Sequence, residues 1–68
     1  MKELFIQYCY SQEQWGLFDP DVDDFIFYAN SITGVTTYAY ELAPLIKPCQ
    51  IKFIPQYLLT SFTIFATY

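Results

Sequence analysis

The C-terminal run Cys49–Tyr68 constrains the fold of this chain more than any other stretch. It is mostly apolar, contains no glycine and carries one charged side chain, Lys52. Residues 49–54 alternate between apolar and polar positions, and residues 58–68 gather serine and threonine on one of their two faces. Pro55 separates the two segments. The run therefore predicts two strands of a sheet, with Lys52 on an outward-facing position of the first.

Three earlier segments complete the predicted backbone of the sheet. Residues 3–10 alternate so that one face is wholly apolar, which predicts a first strand. Residues 25–30 are a short apolar run bounded by turn-forming residues. Residues 35–42 are rich in β-branched and aromatic side chains, so they are predicted to form a hairpin with the preceding strand through a turn at Gly34, which can adopt a positive φ. Residues 43–48 hold two of the four prolines and are predicted to be an irregular crossing segment.

Helical structure is predicted in one place and left as an alternative in another. The segment Ser11–Gln14 matches a capping box, which predicts a short helical turn over residues 12–15, with Trp15 closing one end of the core. Alternatively, Thr36 could cap a helix near residues 36–46 that stops near Pro44. The β-branched residues at the start of that segment favour the strand.

Together these segments predict one domain, residues 1–68, of the mainly β class. The expected architecture is a single small antiparallel sheet or half-open barrel of about five strands with one short helical turn. The alternative is an α+β fold with a helix near residues 36–46. A chain of 68 residues buries only about 60% of its unfolded surface, so we expect marginal stability.

The aromatic content of the chain points to an interface. Seven Tyr, seven Phe and one Trp make up 22% of the residues. Each would occupy roughly 150–250 Å² when buried, and the leucines and isoleucines compete for the same interior. We therefore expect some aromatic side chains at the surface, where they would form an apolar patch of the kind that marks a binding site.

Four of the seven carboxylates lie within the stretch Asp19–Asp24. Aspartates at alternating positions are typical of the start of an EF-hand loop, but Asp24 stands where that loop needs glycine and Asn30 where it needs a bidentate glutamate. The pattern favours a solvated acidic loop over a calcium site. Such a loop could also dock on a basic partner, because electrostatic attraction would guide the approach.

The composition argues against catalysis and against nucleic-acid binding. The chain has no histidine, which removes the commonest general base, and its two glycines stand apart, so no phosphate-binding loop is present. We predict that the protein is not an enzyme and needs no cofactor or metal. The net charge is −4 with three lysines and no arginine, so no basic cluster is available to contact phosphates.

The N-terminus and the cysteines favour a cytoplasmic protein. Glu3 and Gln7 interrupt any apolar region of a secretory signal. Cys9 and Cys49 are expected to be buried thiols in a reducing compartment, although pairing between them stays open. The longest uncharged runs have 16 residues, fewer than the about 20 that a membrane helix needs, so we do not expect a membrane protein.

These observations predict a small acidic protein-binding module that acts by occupying a partner's surface, as inhibitors and adaptors do, including those of phages. One alternative is a structural homo-oligomer or a constitutive subunit of a larger assembly; a weaker one is an acidic mimic of nucleic acid. Tyrosine and tryptophan would supply contact area, and the aspartates would steer the chain toward a basic surface. The predicted partner-binding residues are Tyr8, Tyr10, Trp15, Asp19, Asp21, Asp23, Asp24, Tyr38 and Tyr40.

Overall fold

A computed structural model describes residues 1–54 and 63–68 of the chain. The described residues form five strands in one sheet and one helix, so the predicted mainly β class is confirmed. The sheet is open rather than closed into a barrel. In chain order, the elements are β1 (Lys2–Cys9), β2 (Gln14–Asp19), β3 (Asp24–Ala29), α1 (Ile32–Ile46), β4 (Cys49–Phe53) and β5 (Thr63–Thr67).

The strands lie in the order β3-β2-β1-β4-β5, and the sheet is mixed. Strands β1, β2 and β3 form an antiparallel meander, β4 pairs with β1 in parallel, and β5 returns antiparallel to β4. A parallel pair needs a crossover connection, which is usually a helix. Because α1 carries the chain from β3 back to the start of β4, β4 enters the sheet in the same direction as β1. The prediction of an all-antiparallel sheet was therefore wrong for one pair.

Residues 35–42, predicted as a strand, belong to α1, so the alternative helix near residues 36–46 is the one that forms. It begins at Ile32, because the Ser31 hydroxyl accepts a hydrogen bond from the N–H of Gly34 at 3.2 Å and caps the first turn. Gly34 is therefore a helical residue without positive φ, and the predicted turn there was wrong. The β-branched residues yield to tertiary packing, which commonly overrides propensity.

The helix packs on the sheet through small side chains. Val35, Ala39 and Ala43 recur every four residues and are fully buried, so one face of α1 lies close against the sheet. Alternate residues of the central strands meet that face. The fully buried core consists of Leu4, Ile6, Leu17, Val35, Ala39, Ala43, Cys49 and Ile51.

The predicted helical turn over residues 12–15 does not form. Residues 10–13 are a turn between β1 and β2, in which Glu13 adopts a φ of 54°. Trp15 lies in β2, opposite Tyr8 of β1. The pairing of residues 14–19 with β1 outweighs the local capping box, because a full ladder satisfies more backbone groups than a single turn.

The second half of the chain follows the sequence prediction in part. Residues 43–46, predicted as irregular, extend α1 through Pro44, and a cis peptide bond joins Lys47 to Pro48. Strand β4 lies where a strand was predicted. Lys52 faces away from α1 as expected, but it is only 7% exposed, and its ammonium pairs with Glu3. The predicted last strand over residues 58–68 corresponds to β5, and its first part, 58–62, lies outside the described residues.

The two cysteines do not pair. Both thiols are free and buried, as predicted for small apolar side chains. Cys49 lies opposite Lys2 at the start of β1, and Cys9 is the last residue of that strand. At the rise of a β-strand the two positions are about 23 Å apart, far beyond the reach of a disulfide.

Candidate protein-interaction surface

The acidic stretch forms the turn between β2 and β3, and a lysine from β1 anchors it. The ammonium of Lys2 donates hydrogen bonds to both carboxylate oxygens of Asp19, at 2.8 and 2.7 Å, and to Asp21 Oδ2 at 2.8 Å. Asp19 is only 7% exposed, whereas the side chain of Asp21 is 71% exposed. The cation that these two carboxylates bind is therefore the chain's own lysine. Among the described residues, no three His, Cys, Asp or Glu side chains are placed to hold a metal ion.

The conformation of this turn follows from its residue types. Pro20 favours the φ that begins a turn, and the backbone N–H of Asp21 donates to Asp19 Oδ1 at 2.9 Å, which closes an Asx turn. Asp23 adopts a φ of 55°, a conformation that aspartate tolerates better than most residues. The Asp24 carboxylate accepts a hydrogen bond from the Phe25 N–H at 2.7 Å. The turn therefore holds its carboxylates in defined positions.

The Lys2–Asp19 contact makes stability depend on pH in the acidic range. Burial on its own raises the pKa of the Asp19 carboxyl, but the hydrogen bonds from Lys2 and from the Asp21 N–H outweigh it and leave the pKa below its ordinary value of 3.8. A carboxyl with a lowered pKa contributes stability above its unfolded-state pKa and loses it as pH falls through the folded-state pKa. We expect Asp19→Asn to be less stable than the native chain at neutral pH, by a deficit that shrinks below about pH 4. Urea denaturation from about pH 7 to about pH 2 would measure it.

Asp23→Asn is the matched control for this prediction. Asp23 is exposed, and among the described lysines none contacts it. Asparagine also tolerates positive φ, so the turn keeps its shape. We expect only a small deficit at neutral pH, because the substitution breaks no contact with a described lysine. Parallel pH profiles for the native chain and Asp19→Asn would show that Lys2 does not stabilise the Asp19 carboxylate.

Exposed apolar side chains lie at the same end of the sheet as the acidic turn. Met1 is 72% exposed, Val22 61%, Leu45 81% and Tyr68 41%. Backbone contacts join the ends of β1, β4 and β5: the Lys2 N–H donates to the Pro48 carbonyl at 3.1 Å, and Cys49 and Tyr68 exchange two backbone hydrogen bonds. The β2–β3 turn, which carries Val22, lies beside the start of β1 and is held to it by Lys2. We call this surface, made of residues 1–2, 19–24, 44–49 and 67–68, the acidic end of the sheet.

The predicted aromatic residues of β1 and β2 lie at the opposite end. Tyr8, Tyr10 and Trp15 form a chain of edge contacts, with ring centroids 5.0 Å apart for Tyr8–Tyr10 and 5.5 Å for Tyr8–Trp15. Trp15 also stacks against Phe53 and packs on the core. Tyr10 is 66% exposed. The structure therefore separates these three residues from the acidic turn by the length of the strands.

The two predicted helix tyrosines face different surroundings. Tyr38 stacks on Phe27 of β3, with ring planes 2° apart and centroids 4.1 Å apart, and so belongs to the core margin. Tyr40 is 40% exposed and makes an edge contact with Tyr68 at 6.3 Å, which connects it to the acidic end. The nine predicted partner-binding residues thus do not form one surface. The acidic end contains the four aspartates together with exposed apolar residues that the sequence did not predict, and Tyr40 contacts it through Tyr68.

The face of the sheet away from α1 carries a second aromatic group. Phe18, Phe25 and Tyr28 contact one another, with Phe25 between the other two at centroid distances of 5.4 and 5.3 Å. Gly16 lies beneath the Phe25 ring. Phe5 neighbours Phe18 on this face, and the three phenylalanines and Tyr28 are each only partly buried. The rings therefore shield the outer face of β2 and β3 by packing on each other and on Gly16, and each keeps part of its surface exposed.

A groove of about 410 Å³ runs along the outer side of α1. It is lined by Ile32, Thr33, Thr36, Thr37 and Tyr40, which offer methyl groups and hydroxyls but no carboxylate, amine or thiol. Among the described residues, no helix is long and apolar enough to cross a bilayer.

Comparison with known proteins adds no relative to this picture. No protein-family model matches the sequence, and no significant match was found among curated proteins or among solved structures.

Proposed function

We propose that this chain is a small protein-binding module that acts by occupying a partner's surface, and that the acidic end of the sheet is the contact surface. One observation carries the proposal: Met1, Val22, Leu45 and Tyr68 come from four different parts of the chain and expose apolar surface at one end. Because the strand order is β3-β2-β1-β4-β5, these residues line one end of the sheet from the β2–β3 turn to β5. Exposed apolar surface edged by polar residues is typical of an interaction site.

The surroundings of this surface resemble the layout of known interfaces. An apolar centre with a polar rim is the usual arrangement, and tyrosine is enriched at such sites. Here Val22 lies between the exposed aspartates Asp21 and Asp23 in the turn, and Asp24 follows them. The groove on α1 supplies no ionisable group other than the Tyr40 phenol, which favours binding over chemistry. The two free thiols fit a reducing compartment, so we propose that the protein acts inside the cell.

Site-specific photo-crosslinking tests the proposal. A benzoylphenylalanine would replace Leu45 or Val22 at the acidic end, and Tyr10 at the opposite end as the matched exposed control. Each variant would be irradiated in a lysate of the native host. We expect the first two to give the same discrete adduct and the Tyr10 variant to give none. The absence of an adduct, or equal adducts from all three variants, would contradict the proposal.

A further inference from the structure

Two carboxylates of the acidic end, those of Asp23 and Asp24, form no ion pair with a lysine among the described residues. Lys2 bonds to Asp19 and Asp21, and Lys52 pairs with Glu3. Lys47, the third and last lysine of the sequence, is exposed and makes no ion pair among the described residues. Asp23 and Asp24 are both exposed. Their negative charge is therefore available to another molecule.

Exposed apolar side chains lie next to these two aspartates. Val22 precedes Asp23 in the turn and is 61% exposed. Lys2, which holds the turn to β1, is next to the exposed Met1. A molecule that contacts Val22 and Met1 therefore lies within reach of the aspartates. Charge pairs at the rim of an interface speed association and select the partner more than they add affinity.

We infer that the partner presents lysine or arginine side chains around an apolar patch, and that Asp23 and Asp24 pair with those cations. This inference rests on the proposed function and names the chemistry of the partner. A fixed turn is a better docking element than a mobile one, since less conformational entropy is lost on binding. The Lys2–Asp19 bond and the Asx turn supply that fixation.

A second copy of the chain fits this surface poorly. In a two-fold dimer the same patch meets itself. The acidic end carries Asp19, Asp21, Asp23 and Asp24 against two lysines, Lys2 and Lys47, so each copy would present a net negative patch to the other, which opposes association. The occupant is therefore a different, basic protein surface.

An NMR titration with a synthetic peptide tests the inference on the whole chain. The probe is a short peptide with lysines at both ends and leucines between them, and its twin has glutamates in place of the lysines. We expect the basic peptide to shift the amide signals of residues 19–24 and 45–49 at low salt. The acidic twin should leave them unchanged. Replacing the leucines of the peptide by serines should reduce the shifts, because Met1 and Val22 would then lose their apolar contacts with the peptide.

A pair of charge-matched variants sharpens the test. Asp23→Asn combined with Asp24→Asn should weaken the binding of the basic peptide about two- to thirtyfold, the range that the loss of two exposed ion pairs allows. Glu13→Gln combined with Glu41→Gln removes the same charge elsewhere and should change binding less than about twofold.

Three outcomes would overturn the inference. One is no shift at the acidic end, the second is equal weakening in both double variants, and the third is a stable dimer in native mass spectrometry at micromolar concentration. If Leu45 and Val22 still cross-link to one host protein while the basic peptide does not bind, the inference fails and the proposed function stands. If they do not cross-link, the proposed function itself fails.

Discussion

Replacing Ile6 with alanine is expected to lower the free energy of unfolding by about 2–5 kcal/mol, the usual cost of truncating a fully buried isoleucine. Ile6 lies in the central strand β1, is completely buried, and has Leu17 on one neighbouring strand and Phe53 on the other. The cavity would open where three strands and the helix meet. Few alternative contacts can close it, because the surrounding side chains are themselves fixed by the sheet.

A loss of this size is a large share of the stability of such a small chain. The free energy of unfolding of a domain is roughly 0.05–0.15 kcal/mol per residue, which gives about 3–10 kcal/mol for this chain. Urea denaturation followed by the fluorescence of Trp15, the single tryptophan, would measure the change, since its ring packs on the core. We expect the Ile6→Ala chain to be largely unfolded at low urea concentration or already in water.

Ile26→Ala removes the same atoms from the edge strand β3 and is the matched control. Ile26 is 40% exposed and lies at the irregularity in the pairing of β2 with β3. We expect a cost below about 1 kcal/mol, as for most surface substitutions. Equal costs for the two isoleucines would mean that β1 does not occupy the centre of the core.

The strands that could be predicted from the sequence, β1, β3, β4 and β5, are those with a clear local signal. Strands β1 and β4 alternate between apolar and polar residues, and β3 is a short apolar run between turn formers. Local chemistry alone reveals such segments, because period-two alternation fits only an extended strand with one buried face. The order and direction in which the strands pair were harder to predict from the sequence. The parallel contact between β1 and β4 depends on α1, and the sequence assigned most of that segment to a strand.

The helix was missed as first choice because its signals are weak one by one. Its buried positions, Val35, Ala39 and Ala43, are small, so they produce little hydrophobic periodicity, and the threonines around them favour a strand. The effective cap is Ser31, whereas Thr36 lies inside the helix and donates its hydroxyl proton to the Ile32 carbonyl. The decisive contribution is the packing of small residues on the sheet, which local propensity does not contain.

The candidate surface could be predicted only in its charged half. The run of aspartates is visible in the sequence, and the exposure of Asp21, Asp23 and Asp24 follows from their charge, whereas Asp19 is buried against Lys2. The apolar half is assembled from Met1, Val22, Leu45 and Tyr68, which no sequence window contains together. Conversely, Trp15 and Tyr38 attracted attention as aromatic residues, yet they pack against the core. A high aromatic content indicates that some rings will be exposed, but the fold determines which rings these are and where they lie.

Strand β2 shows how one glycine can mislead a prediction and still be essential. Gly16 ended the predicted helical turn, yet it lies in mid-strand opposite Gln7 and Tyr28. A Cβ at this position would lie 2.3 Å from Phe25 Cδ1 and 2.6 Å from Cε1, far inside van der Waals contact. The glycine therefore leaves space for the ring that covers the outer face of the sheet, and it has no positive φ to justify it otherwise.

We therefore expect Gly16→Ala to destabilise the chain by about 1–3 kcal/mol, the usual cost of overpacking. In a Phe25→Ala background the same substitution should change sign and stabilise by about 0.5–1 kcal/mol, because alanine loses less backbone entropy than glycine in a strand. A double-mutant cycle in urea measures this reversal, and it is the reversal rather than either single cost that identifies the ring as the cause. If Gly16→Ala costs the same in both backgrounds, the Phe25 ring does not occupy the space above Gly16.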